Sequence, residues 1–262
     1  MSATAAALTS GPVPESGADR RPGIGRLTAV ELRKMTDTRS GFWLPIAIGT
    51  ISLIVIIVSS LVHGGHDASW QHLLNNGLAP DGFLLPVLGI LLVCGEFTQR
   101  TTLTTFTLVP NRGRVLVAKM LASIIFVIGA YVVTVVMSAV FAFGIGNHPG
   151  GAGGLSGIVI LQSLFDLAAS MLIGIGFGAA ILVSAPGIVA YLLLPTIWGA
   201  LASSINALAT LDHWLDIGTT MQYLPQHAIS AIGWAHVGTT LALWMLLPLT
   251  IGWYRFRTKD IE

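Results

Sequence analysis

Charge is scarce in this chain. Asp, Glu, Lys and Arg together make up 10% of its 262 residues, and apolar residues make up 53%; a soluble domain carries roughly 25% charge. Too little polar surface is available for a water-exposed globule of this length. There is a single cysteine, Cys94, which excludes an internal disulfide framework and any multi-cysteine metal site; in an apolar helix it reads as a packing residue. No G-x-x-x-x-G-K-[ST] phosphate loop is present, and Lys119 follows Ala118 rather than Gly. The chain also has no nucleophile elbow, no H-E-x-x-H and no pair of carboxylates within one apolar run, so nothing marks it as an enzyme.

The cations that do occur are sorted into three short stretches. Arg20, Arg21, Arg26, Arg33, Lys34 and Arg39 precede the first apolar run, Arg100, Arg112, Arg114 and Lys119 fall between the second and third, and Arg255, Arg257 and Lys259 follow the last. All seven histidines and the acids Asp67, Asp81, Asp212 and Asp216 occupy the complementary connections. Cytoplasmic loops of membrane proteins retain cations, so this partition predicts six spans with both termini inside. About 20 apolar residues are needed per span, which places them near residues 42–62, 80–97, 115–143, 156–183, 187–209 and 235–254. Ser184, Ala185, Pro186 and Gly187 supply turn chemistry between the fourth and fifth. The aromatics Trp43, Trp253 and Tyr254 belong at the headgroup level.

Residues 1–23, rich in Ala, Ser, Gly and Pro, read as a disordered cytoplasmic tail ahead of a six-span domain over 24–262. Between Ile24 and Arg39 the pattern changes. Thr28 with Glu31 makes a capping box, and Ile24, Leu27 and Val30 are spaced three apart among cations, predicting a short amphipathic helix on the inner membrane face. A second interfacial helix is expected over Thr98–Val109, a threonine-rich run with Leu103, Phe106 and Leu108 that closes on Pro110, Asn111, Arg112 and Gly113.

The ordered set Gly95, Glu96, Phe97, Thr98, Gln99, Arg100, Thr101, then Pro110, Arg112, Arg114, Ala118 and Lys119 resembles the segment between the second and third spans of type-2 ABC exporter permeases. Phe97 stands where that family often has Tyr. The resemblance covers residues 24–262 and implies an all-α half-transporter in a bacterial plasma membrane. Two copies, or two similar chains, would face each other, each resting on a separate cytoplasmic ABC ATPase that binds ATP and Mg; the chain itself would need no cofactor. Membrane lipid is the remaining partner, and no nucleic acid is expected. By the same resemblance Thr98–Val109 is the coupling helix that docks on the ATPase, with Glu96, Arg100, Leu103, Phe106 and Leu108 as its working residues. The translocation path would be lined from the second and fifth spans by Phe83, Leu84, Val87, Leu88, Leu91, Trp198, Ser203 and Asn206.

Two carboxylates require an account. Glu96 ends an apolar span and needs a cation, with Lys34, Arg39 or Arg100 in reach, so it is expected to tie the coupling helix to the amphipathic one. Asp166 lies well inside the fourth span on a small, polar face with Ser163, Ser170, Gly174 and Gly178; hydrogen-bonded packing is the first reading, substrate passage or proton binding the second. His63, His66, Asp67 and His72 match no strong metal motif, so a hydrated outer loop is preferred to a metal site. Leu211–Ile232 is too apolar for an open loop and is expected to pack as short helices on the outer leaflet. Exported cargo would be amphipathic or hydrophobic: a drug, antibiotic, peptide or lipid. An ion-coupled secondary transporter, or a non-transporting anchor or sensor that recruits an ATPase, is the alternative.

Overall fold

The computed structural model describes residues 23–37, 39–62, 69–98, 112–144, 156–205 and 208–258, and every regular element among them is helical. Helix α1 (Ile24–Asp37) leads to α2 (Arg39–Val62), α3 (Trp70–Thr98), α4 (Arg112–Gly144), α5 (Gly157–Ile181) and α6 (Ser184–Ser204). Two short helices, α7 (Ala209–Leu215) and α8 (Ile217–Met221), precede α9 (Ala231–Leu241), which runs through a π-helical turn at Ala242–Leu246 into α10 (Leu247–Thr258). Six stretches are long and apolar enough to cross a bilayer: Gly41–Val62, Trp70–Phe97, Gly113–Gly144, Gly157–Ile181, Ser184–Ser204 and Ala231–Arg255. This is compatible with a multi-pass membrane protein. The segment 99–111, residues 1–22 and the histidines His63 and His66 lie outside the described residues.

Two helices form the centre. Over their most apolar 18 residues α3 and α5 bury 56% and 50% of positions, against 22% on α2 and α4 and 17% on α6. Glycine makes the central contact possible, as its spacing on α5 predicts. A Cβ on Gly174 would lie 2.3 Å from the Pro86 carbonyl oxygen, and one on Gly178 would lie 3.1 Å from Ile90 Cα. On its other side α5 meets α10, where a Cβ on Gly252 would fall 2.5 Å from Ala179 Cβ. Around this axis Met35, Ile48, Leu78, Leu85, Tyr131 and Leu167 close one core that joins α1 through α5.

Local signals were overruled in four places. The second span starts at Trp70, not near residue 80, and continues through Pro80 and Pro86. Proline is tolerated inside such helices where neighbours meet the freed carbonyls, and Asp81 is taken up by hydroxyls instead of ending the helix. The last span likewise starts earlier, at Ala231, because Ser230 caps it by accepting from Gly233 N at 3.2 Å. Between α5 and α6 the chain reverses at Leu182, which adopts φ 63°, and Ser184–Gly187 already form the first turn of α6. Pro186 suits that turn because its missing N–H has no partner there in any case, while the left-handed Leu182 is held by N–H donation to Gly178 O and by burial of its side chain. Finally, α1 begins one turn before the expected capping box. Leu27 N donates to Gly23 O, the Thr28 hydroxyl donates to Ile24 O, and Glu31 is drawn into the bundle. The buried face of α1 is Thr28, Glu31 and Met35, with Ile24 and Val30 exposed.

Pro248 explains the π turn. It cannot donate to the carbonyl one turn back, and the widened register, in which Leu247 N donates to Ala242 O, relieves the crowding.

Candidate functional site

Four ionisable side chains meet at the α1 end of the bundle. Lys119, in the second turn of α4, is fully buried; its ammonium donates to Glu31 Oε2 at 2.6 Å, to Glu96 Oε1 at 3.1 Å and to the Leu92 carbonyl at 3.2 Å. All three of its protons are thereby engaged. Lys34 on α1 reaches the same two carboxylates, donating to Glu31 Oε1 at 2.8 Å and Glu96 Oε1 at 2.7 Å. Side-chain exposure is 1% for Lys119, 5% for Glu31 and 10% for Glu96, but 39% for Lys34. The cluster is charge-neutral and pins three helices together: α1, the last turn of α3 and the first turns of α4. Burial works against the charge on Lys34, but its hydrogen bonds to Glu31 and Glu96 outweigh this and hold its pKa above the ordinary 10.5.

Glu96 bonds α1 through Lys34, while the coupling helix that it was expected to tie there lies beyond Thr98, outside the described residues. Lys119 is the partner that sequence reasoning overlooked, although a signal existed: a lysine this far into an apolar span must find a carboxylate, and Glu31 and Glu96 are among the acids near it in the expected topology. Arg100, Leu103, Phe106 and Leu108 lie outside the described residues, as does Asn206.

A second polar node was also missed. Asp81, read from sequence as part of an outer connection, sits inside α3 at 1% exposure. Its carboxylate accepts from Ser52 of α2 at 2.9 Å and from Thr134 of α4 at 2.7 Å. Asp166 is therefore not the only acid inside a span. Toward the α7 end, Asn76 donates to Ser59 at 2.6 Å and contacts His72 at 3.0 Å, so this imidazole is engaged by an amide of its own helix. Trp70 donates to Ser138 at 3.1 Å, and Tyr131 bonds Ser163 and the Ile160 carbonyl.

The proposed path residues are spread over different settings. Phe83 is 54% exposed, Val87 and Leu91 are half-buried, and Leu84 and Leu88 pack into the core with Leu167 and Met171. Ser203 is exposed and bonds the Ala200 carbonyl. Trp198 is half-buried, and its indole N–H has no acceptor among the described residues. Asp166 is half-buried and makes no hydrogen bond or ion pair among the described residues, so the packing bond expected for it is not formed. The apolar segment after α6 does fold into short helices. Asp216 caps α8 by accepting from Thr219 N at 2.7 Å, Leu215 O accepts from Trp244 at 2.7 Å, and Trp214 O accepts from Thr239 and Thr240. Cys94 is buried against the Gly178 carbonyl at 3.4 Å. Compared with protein-family models and with curated proteins, the chain matches neither.

Proposed function

We propose that the chain is the membrane-spanning permease subunit of an ATP-driven exporter, with ATP hydrolysed by a separate ABC ATPase. The observation that carries this reading is the Glu31–Lys34–Glu96–Lys119 cluster. It fastens α1 to α3 and α4, between which in sequence falls the Thr98–Val109 run that resembles a coupling helix, so a push on that run would move three helices together. A buried, charge-balanced cluster costs desolvation that packed apolar residues would avoid, and joining moving parts is a use that justifies it. Charge sorting favours the cytoplasmic side for this end and for both termini, and the resemblance implies a bacterial plasma membrane. The exposed apolar face of α6, with Val189, Leu193, Ile197 and Leu201, and the exposed Phe83 on α3 suit contact with lipid and with a second copy, identical or similar. Cargo moving along such walls would be amphipathic or hydrophobic.

The test is co-expression with a candidate ABC ATPase that carries Walker motifs. Phe106→Asp should release that ATPase from the detergent-purified complex, and Glu96→Gln should keep the complex but uncouple hydrolysis from transport. Wild-type coupling in both variants would sink the reading.

Asp81 favours one alternative, an ion-coupled transporter, because a carboxylate held by two hydroxyls deep in a bundle can exchange a proton. On the export reading Asp81→Asn retains ATP-dependent transport. Loss of transport together with a dependence on the proton gradient rather than on ATP would favour the alternative.

A further inference from the structure

We propose that Asp166, Tyr191 and Trp198 form a binding site for a lipophilic organic cation that carries a hydrogen-bond acceptor. Helices α5 and α6 run antiparallel from the reversal at Leu182, and their contact is aromatic. The Phe177 ring meets Tyr191 edge-on at 6.1 Å and stacks on Trp244 of the π turn at 6.5 Å. Trp198 joins the same cluster. It lies seven residues beyond Tyr191, hence on the same face and about 10 Å further along α6. Seven residues back along α5 from Phe177 is Ser170, and Asp166 is one turn beyond it. This antiparallel register brings Trp198 level with Ser170, one turn from Asp166 on the same face of α5.

What distinguishes this wall from ordinary core is unused bonding capacity. The Trp198 N–H is buried without an acceptor, and neither the Asp166 carboxylate nor the Tyr191 hydroxyl has a hydrogen-bond partner among the described residues. Buried polar groups are normally satisfied, and an acid inside a span normally has a cation. No ion pair among the described residues includes Asp166. One occupant meets every need: a positive centre for Asp166, an acceptor oxygen for the Trp198 N–H and the Tyr191 hydroxyl, and an apolar body against four rings whose faces attract cations. The π turn that carries Trp244 fits this role, since such turns recur at functional positions. On the export reading, on which only this consequence rests, the site names the class of cargo.

The test measures binding to the purified chain in nanodiscs of neutral lipid, with no ATPase and no nucleotide. The probes are rhodamine 6G, a lipophilic cation with an ester carbonyl, and Nile red, a neutral dye of similar size; empty discs give the background. Rhodamine 6G should bind saturably. Asp166→Asn should weaken it about ten-fold or more, Trp198→Phe should weaken it several-fold, and Nile red should respond to neither, as a lost charge contact requires. Helicity and thermal unfolding check each variant, and if Asp166→Asn does not fold, Trp198→Phe decides. Absence of saturable binding, equal binding by wild type and the decisive variant, or an equal loss for Nile red would overturn the site. Intact binding without ATP-dependent export of rhodamine 6G would instead count against the export reading alone.

Discussion

At the scale of single residues, the decisive feature is that the buried Lys119 is neutralised by carboxylates far away in sequence. Lys119 and Glu31 are 88 positions apart and 2.6 Å apart in space. Removing one member strands the others, which costs roughly 3–5 kcal/mol for a buried pair. Lys119→Met should therefore lower the unfolding free energy in mixed micelles by about that amount, and Lys34→Met, whose partner lysine remains and whose side chain is 39% exposed, by clearly less. Equal losses would mean that burial does not govern the cluster. Glu96 was readable as an acid needing a cation because it closes an apolar run. Lys34, one of the cations in reach by sequence, does answer it, while Lys119, which has no periodic relation to it, was overlooked. Asp81 was misassigned for a related reason: between two prolines it looks like a loop residue until Ser52 and Thr134 are brought beside it.

At the scale of helices, glycine spacing on α5 carried reliable information because close approach needs only the absence of a Cβ, which the sequence states directly. The identity of the contacted helix is the added fact. A methyl at Gly174 would collide with backbone atoms of Pro86, which cannot rotate away as a side chain can. Gly174→Ala should destabilise by about 1–3 kcal/mol or more, the range for overpacking. Gly129→Ala, on α4 with open space around it, should be neutral or stabilising by up to about 1 kcal/mol, the helix-propensity difference. Thermal unfolding of the two variants beside wild type checks this, and similar shifts for both would remove α3–α5 contact as the central seam. Boundaries were less legible than the helices themselves. Leu182 turns the chain where Ser184–Gly187 offered better turn residues, because their position suits a helix start and the Leu182 side chain gains burial.

At the scale of the whole molecule, the prediction is topological: both termini and residues 98–114 face the cytoplasm, which the sorting of every cation requires. In a Cys94→Ser background, single cysteines at Asn111 and Asn147 should label with an impermeant reagent from opposite sides of the membrane. Labelling of both from outside would exclude six spans in this orientation. The number of long apolar helices and their approximate lengths followed from the sequence alone, because hydropathy and run length are local properties that need no knowledge of neighbours. Only the tertiary structure decided that α3 and α5 lie at the centre, that Lys119 completes the Glu96 cluster, that Asp81 is an internal node, and that the Trp198 N–H is buried without an acceptor among the described residues. These depend on which helix faces meet, and in so uniformly apolar a chain nearly every face is fit to be buried. Close packing at a few glycines and the need to pair a handful of polar groups select one arrangement among them.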